Sequence, residues 1–153
     1  MNISALGAGR ALAALCLVGA PAGQQLRAQT AVPDSTAIAA VLGEYLHGLK
    51  FNDTLSLQRA FWPAAKLFWV RRDGTLGELT QQAWYAGFRG HAGQEEPGNL
   101  RATAILQTKD AASATIVEDY PASRYTDYVS LLRIGGRWWI VNKVYTAETR
   151  AAK

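Results

Sequence analysis

The apolar positions of this chain change period along its length, and the change divides it into a helical first part and a stranded last part. At about 100° per residue, Ile38, Val41, Leu42, Tyr45, Leu46 and Leu49 fall on one stripe, which predicts a helix over residues 38–50. His47 falls on the opposite side of that helix, with Ala40, Gly43 and Glu44, and is expected to face water. Asp53 or Thr54 can cap a second short helix over residues 55–61, stopped by Pro63. Residues 66–72 (KLFWVRR) are strand-like, and Asp73-Gly74 makes a turn. Thr80 can cap a third helix over residues 81–88, in which Trp84 and Phe88, four apart, share a face. Residues 90–99, with three glycines and a proline, form a loop.

Beyond that loop the period falls to two. Residues 101–109 and 112–119 read as strands joined by a turn near Asp110, with Pro121 ending the second. Residues 125–134 and 137–145 flank Gly135-Gly136, a two-residue hairpin turn that glycine permits. Helices first and an antiparallel meander last define an α+β domain, one sheet with helices on one side. Pairing Ile134 with Arg137 places Val129 opposite Asn142 and Asp127 opposite Val144. One face of the hairpin then carries Tyr125, Asp127, Val129, Leu131, Trp138, Ile140, Asn142 and Val144. It is the more apolar face and is expected to meet the helices. The other face carries Tyr128, Leu132, Trp139, Val141, Lys143 and Tyr145.

Composition changes this picture at the N-terminus. Residues 1–28 hold a short basic start, the unbroken apolar run ALAALCLVG and small residues around Ala22 and Ala28, the order of a signal peptide cleaved after Ala22 or Ala28. That predicts a periplasmic or secreted domain over residues 37–147. The run is too short for a membrane anchor, and no other apolar run is long enough to cross a bilayer. Cleavage after Ala28 removes Arg10 and Arg27 and so halves the formal net charge of +4. The remaining positive residues are scattered, which argues against a nucleic acid partner. Cys16, the single cysteine, leaves with the leader, and two histidines remain, so no metal site and no cofactor is expected.

The segments YTDYVSLLRIGGRWWIVNKVY (residues 125–145), EYLHGLKFND (44–53) and AFWPAAKLFWVRRDG (60–74) resemble the Putative lumazine-binding family. That family belongs to the nuclear transport factor 2-like superfamily, with polyketide cyclases and ketosteroid isomerases. Gly135 stands where the family usually has an acidic turn residue. The resemblance implies a cone: a curved antiparallel sheet wrapped around about three N-terminal helices, enclosing an apolar pocket open at one end. The family includes enzymes and non-enzymes, so fold alone assigns no reaction.

Asp127 is the candidate catalytic residue. A carboxylate on the inward face would be desolvated and its pKa raised, as a general acid or base requires. The alternative is a structural carboxylate bonded to Asn142, Thr146 or a helix end. Tyr45, Trp69, Trp84, Phe88, Tyr125, Trp138 and Asn142 are candidates to line a site for a flat ligand, though aromatics at such spacings also fill cores. Two readings follow: an exported domain binding a small apolar or aromatic ligand, or a proton-transfer enzyme of isomerase or cyclase type with Asp127 as base. The apolar outer hairpin face adds a third, a homodimerisation or interaction module.

Overall fold

The computed structural model describes residues 33–150. The leader expected at residues 1–28 lies outside them. Helix α1 spans Asp34–Lys50 and buries Ile38, Val41, Leu42, Tyr45 and Leu49, the stripe its spacing dictates. His47 is exposed on the other side. Helix α2 (Thr54–Ala60) is capped by Asp53, whose carboxylate accepts from the Leu55 N–H at 2.9 Å and from the Ser56 hydroxyl at 2.7 Å. The two helices meet at Gly48, where a Cβ would lie 2.5 Å from the Leu57 side chain.

Strand β1 (Phe61–Val70) begins directly where α2 ends, earlier than residues 66–72. Pro63 sits in an irregular stretch of it, where ladder pairing lapses between Phe61 and Lys66. Strand β2 (Leu76–Thr80) returns from the Asp73-Gly74 turn and was not expected from the sequence. Helix α3 (Gln81–Ala86) is capped by the Thr80 hydroxyl and stops short of Phe88. Strands β3 (Asn99–Thr108), β4 (Ala111–Asp119), β5 (Ser123–Ile134) and β6 (Arg137–Thr149) follow as a meander.

The six strands form one sheet in the order β2-β1-β6-β5-β4-β3. It is mixed rather than wholly antiparallel, because β1 runs parallel to β6 while every other pair is antiparallel. The crossover from β1 to the far side of the meander forces this. The core lies between the sheet and α1, with α2 and α3 closing it; Phe61, Ile116, Leu131, Trp138 and Ile140 are almost wholly buried there.

The hairpin register begins as expected, with Ile134 opposite Arg137 and Leu131 opposite Ile140. Val141 is then an extra residue, a β-bulge, and pairing resumes with Ser130 opposite Asn142 and Val129 opposite Lys143. From there on the faces of β6 are exchanged relative to unbroken alternation. Asp127 stays inside, opposite Tyr145 rather than Val144. Lys143 turns inward with 5% exposure, while Val144 turns outward and is 48% exposed.

Candidate functional site

A cavity of about 670 Å³ opens between the sheet, α1, α3 and the loop that precedes β3. Its walls include Leu49, Leu67, Leu79, Trp84, Phe88 and Tyr125. Tyr120 and Tyr145 continue the aromatic belt, with ring centroids 6.0 Å (Tyr120–Tyr125) and 6.3 Å (Tyr125–Tyr145) apart. Trp84 and Phe88 meet edge to face on the opposite side, at 5.4 Å. The β4–β5 turn, Pro121 to Ser123, supplies part of the rim.

The loop side of the rim is held from beneath. Asn52 adopts a left-handed backbone (φ 51°), which asparagine tolerates, and so brings its side chain toward the loop. Its amide donates to the Gln94 carbonyl at 3.0 Å and to Glu96 Oε1 at 2.9 Å. The Lys50 ammonium donates to the Glu96 and Gly98 carbonyls at 2.6 and 2.8 Å. The Glu96 side chain thereby becomes part of the cavity wall.

The floor is charged. In β4, strict alternation buries Ala112, Ala114 and Ile116, and the same period brings Glu118 inward, 4% exposed. The bulge brings Lys143 to the same place. Its ammonium lies 2.8 Å from Asp127 Oδ2, 2.8 Å from the Tyr45 hydroxyl and 3.7 Å from Glu118 Oε1. Tyr45, from α1, donates its own hydroxyl to Asp127. Tyr120 donates to Glu118 Oε2 at 3.1 Å. The second Asp127 oxygen, Oδ1, has no hydrogen-bond partner among the described residues.

Two carboxylates thus share one ammonium out of water. Burial pushes the Glu118 carboxyl up to about 8, against the opposing pull of Lys143, and the neighbouring Asp127 charge adds to the rise. At neutral pH Glu118 keeps its proton, while Asp127 is neutralised by Lys143. Burial first, then the charges of Asp127 and Glu118, hold the Tyr45 hydroxyl well above its usual range. Burial and Glu118 do the same to Tyr120.

The structure places the sequence candidates differently from one another. Trp84, Phe88 and Tyr125 line the cavity. Tyr45 lies under its floor, fully buried. Trp69 packs on Tyr145 at 5.7 Å, beside the wall. Asp127 is fully buried, as its inward register required, but is not among the lining residues; Lys143 and Tyr45 stand between. Two placements correct the expectation. Trp138 belongs to the core, where its indole N–H donates to Asp34 at 3.1 Å. Asn142 is carried to the outer face by the bulge, opposite Ser130, so it is not Asp127's neighbour. Glu118 and Lys143 were missed. The alternation of Ala112, Ala114 and Ile116 was enough to reveal the first; nothing in a period of two reveals the second.

A six-stranded curved sheet over three helices, with a cavity opening between them, defines a nuclear transport factor 2-like α+β domain. A family profile described as Putative lumazine-binding matches residues 33–146, and the chain belongs to that family. No curated protein matches the chain. Among solved structures, an NTF2-like protein of unknown function from Shewanella baltica is similar, with 29% identity over 75% of this chain and 94% of that one and a TM-score of 0.68. An NTF2-like protein of unknown function from Methylobacillus flagellatus shares the fold at 23% identity, covering 80% of this chain and 97% of its own, with a TM-score of 0.63. A ketosteroid isomerase-like protein from Erwinia carotovora atroseptica does so at 13% identity, over 77% and 98%, with a TM-score of 0.58.

Proposed function

We propose that this chain is an exported small-molecule-binding domain whose cavity takes a flat, largely apolar ligand with a polar edge. The observation that carries the reading is the cavity itself: aromatic walls above a floor on which two buried polar groups, Glu118 and Lys143, converge. Trp84, Phe88 and Tyr125 supply the ligand's stacking surface. A fluorescence and thermal-shift titration with a panel of small aromatic and heteroaromatic compounds, lumazine included, tests this. Saturable binding that weakens roughly 2- to 12-fold in Phe88→Ala is expected, one aromatic contact being worth about 0.5–1.5 kcal/mol. A panel that leaves melting and fluorescence unchanged ends the reading.

Proton transfer is the second reading, and Glu118 is what favours it. Glu118 borders the cavity, holds a proton at neutral pH and stands beside the Tyr120 hydroxyl. Asp127, the base expected from the sequence, reaches the cavity only through Lys143 and Tyr45. Exchange of solvent deuterium into the carbon next to a bound ketone's carbonyl, lost in Glu118→Gln, is the expected signature. Exchange that survives that change removes the reading.

Export belongs to the same proposal through the leader at residues 1–28, and homodimerisation through the apolar outer face of the sheet. Protein from the native host is expected to begin at Gly23 or Gln29 by mass spectrometry. An intact Met1 in the cytoplasmic fraction would contradict export.

A further inference from the structure

The charges that border the cavity are unequal in number, and the imbalance bears on what the cavity holds. Glu96 and Glu118 line it, and Asp127 lies just behind Glu118, so three acids converge on this end of the fold. Lys143 is the one base among the lining residues. Its ammonium already serves the Tyr45 hydroxyl and Asp127, each at 2.8 Å. Lys50, the nearest base on the loop side, spends its charge on the Glu96 and Gly98 carbonyls and on Glu95 at 3.1 Å. The arginines at the β4–β5 turn are also accounted for. Arg101, Arg124 and Arg150 all bind Asp119, and the alternation that turns Glu118 inward turns Asp119 to the outer face.

Resting on the small-molecule reading, we infer that the ligand is an organic cation: a protonated or quaternary amine on an apolar or aromatic body. Two further features point the same way. Trp84, Phe88, Tyr120, Tyr125 and Tyr145 present ring faces and edges around the cavity, and the face of an aromatic ring attracts a cation. Lys143 itself shows the effect, its ammonium lying 4.9 Å from the Tyr145 ring centroid and 5.4 Å from that of Trp84. Behind the floor, Asp127 Oδ1 has no hydrogen-bond partner among the described residues, on a side chain with no exposure, and so adds negative potential beneath this end of the cavity.

The charge balance is simple. Without ligand, Asp127 and Lys143 neutralise each other and Glu118 carries a proton. A cation entering above Glu118 takes that proton's place: Glu118 ionises, the proton leaves to solvent, and the net charge of the site is unchanged. An anion has no such exchange: it would face the Glu96 carboxylate, and the Lys143 ammonium is already committed to Asp127 and Tyr45. The groups facing Glu118 are Tyr45 from α1, Tyr120 just after β4, Asp127 from β5, and Lys143 and Tyr145 from β6; among these Lys143 alone carries positive charge.

The test uses three series of probes of matched size: benzyltrimethylammonium and larger aryl trimethylammonium ions, whose charge is fixed, the corresponding aryl carboxylates, and the neutral aryl alcohols. Titration calorimetry is run on the intact folded chain in buffers of different ionisation enthalpy. The ammonium series is expected to bind at least ~10-fold more tightly than the other two, because only a cation is attracted by the aromatic ring faces. Binding should release close to one proton, and affinity should rise roughly tenfold per pH unit from pH 6 towards 8 and then level. In Glu118→Gln, which keeps the shape of the protonated acid, proton release and the pH slope should vanish. Carboxylates or alcohols binding as tightly as the ammonium ions, or ammonium binding without proton release, overturns the inference and leaves the small-molecule reading standing. Binding by none of these series, nor by any compound of the aromatic panel, overturns both.

Discussion

At the scale of single residues, Lys143 holds the floor together. Its ammonium is the partner of two acids that are nearly or wholly out of water. Replacing it by methionine keeps the length and the apolar stem but strands Asp127, and breaking one side of a buried pair costs about 3–5 kcal/mol. Urea denaturation of Lys143→Met is expected to show a loss of that order. Asp127→Asn keeps the shape and one acceptor and leaves Lys143 with Glu118, 3.7 Å away, as a partner that can ionise, so its loss should stay nearer ~1–3 kcal/mol. A Lys143→Met protein as stable as the parent would mean the pair contributes nothing. Glu118 adds a pH dependence with a definite sign. Its pKa is raised on folding, so between about 4.5 and about 8 the unfolded chain binds fewer protons than the folded one. Its stabilising share is complete below that window and is lost as pH rises through 8. Glu118→Gln should therefore remove a downward slope of stability with pH across the window, measured as the difference between wild-type and variant denaturation midpoints. Parallel midpoints from pH 5 to 8 would show that Glu118 titrates alike in both states.

At the scale of elements, the helical part of the fold was legible and the fine register of the last strand was not. The stripe from Ile38 to Leu49, the Asp53 and Thr80 caps and the Gly135-Gly136 turn each arise from interactions within a few residues, which a sequence displays directly. The bulge at Val141 arises from pairing across strands, and no local period records it. That one residue explains why Asn142 was expected in the site and Lys143 outside it. Strand β2 escaped notice because Leu76–Thr80 is short and has Gly77 as its second residue, where a side chain would collide with the Trp69 ring. Gly48 is the corresponding close approach between helices. A methyl there meets Leu57 side-chain atoms at 2.5 and 2.6 Å and the Asp53 carbonyl at 3.0 Å. Gly48→Ala should therefore destabilise by ~1 kcal/mol or more, crowding outweighing the roughly 1 kcal/mol that alanine contributes to a helix. A stabilised variant in urea would show that α2 moves aside freely.

At the scale of the whole molecule, the sheet's outer face is the surface that asks for a partner. Val70, Leu76, Leu106, Tyr128, Leu132 and Val144 are exposed on it. The face differs from the one read from the sequence: Tyr145 has turned to the cavity, and Val144 has taken its place. Trp139 is partly covered by Trp62 at 5.7 Å and by the Arg137 guanidinium at 3.9 Å, so changing it would disturb the fold as well as the face. Tyr128 and Val144, cross-strand neighbours, are the cleaner choice. Tyr128→Glu with Val144→Glu should convert a homodimer to monomers in sedimentation velocity without shifting the far-ultraviolet spectrum. A wild-type chain that stays monomeric at high concentration would remove the pairing proposal.

The extra residue in β6 also has a hereditary side. A frame-preserving loss of the Val141 codon would leave the partners from Asn142 onward unchanged, so Lys143 and Tyr145 would still face inward. What such a deletion removes is the local bend and added twist that a bulge gives a strand. One inserted residue between Ile140 and Lys143, absorbed without a second bulge, does the reverse: it keeps a strand but expels the ammonium and admits a neutral neighbour. Curvature and charge in this strand are thus separable by single insertion or deletion events. A lineage can reshape the cavity while keeping its ion pair, or discard the ion pair in one step and leave the walls in place.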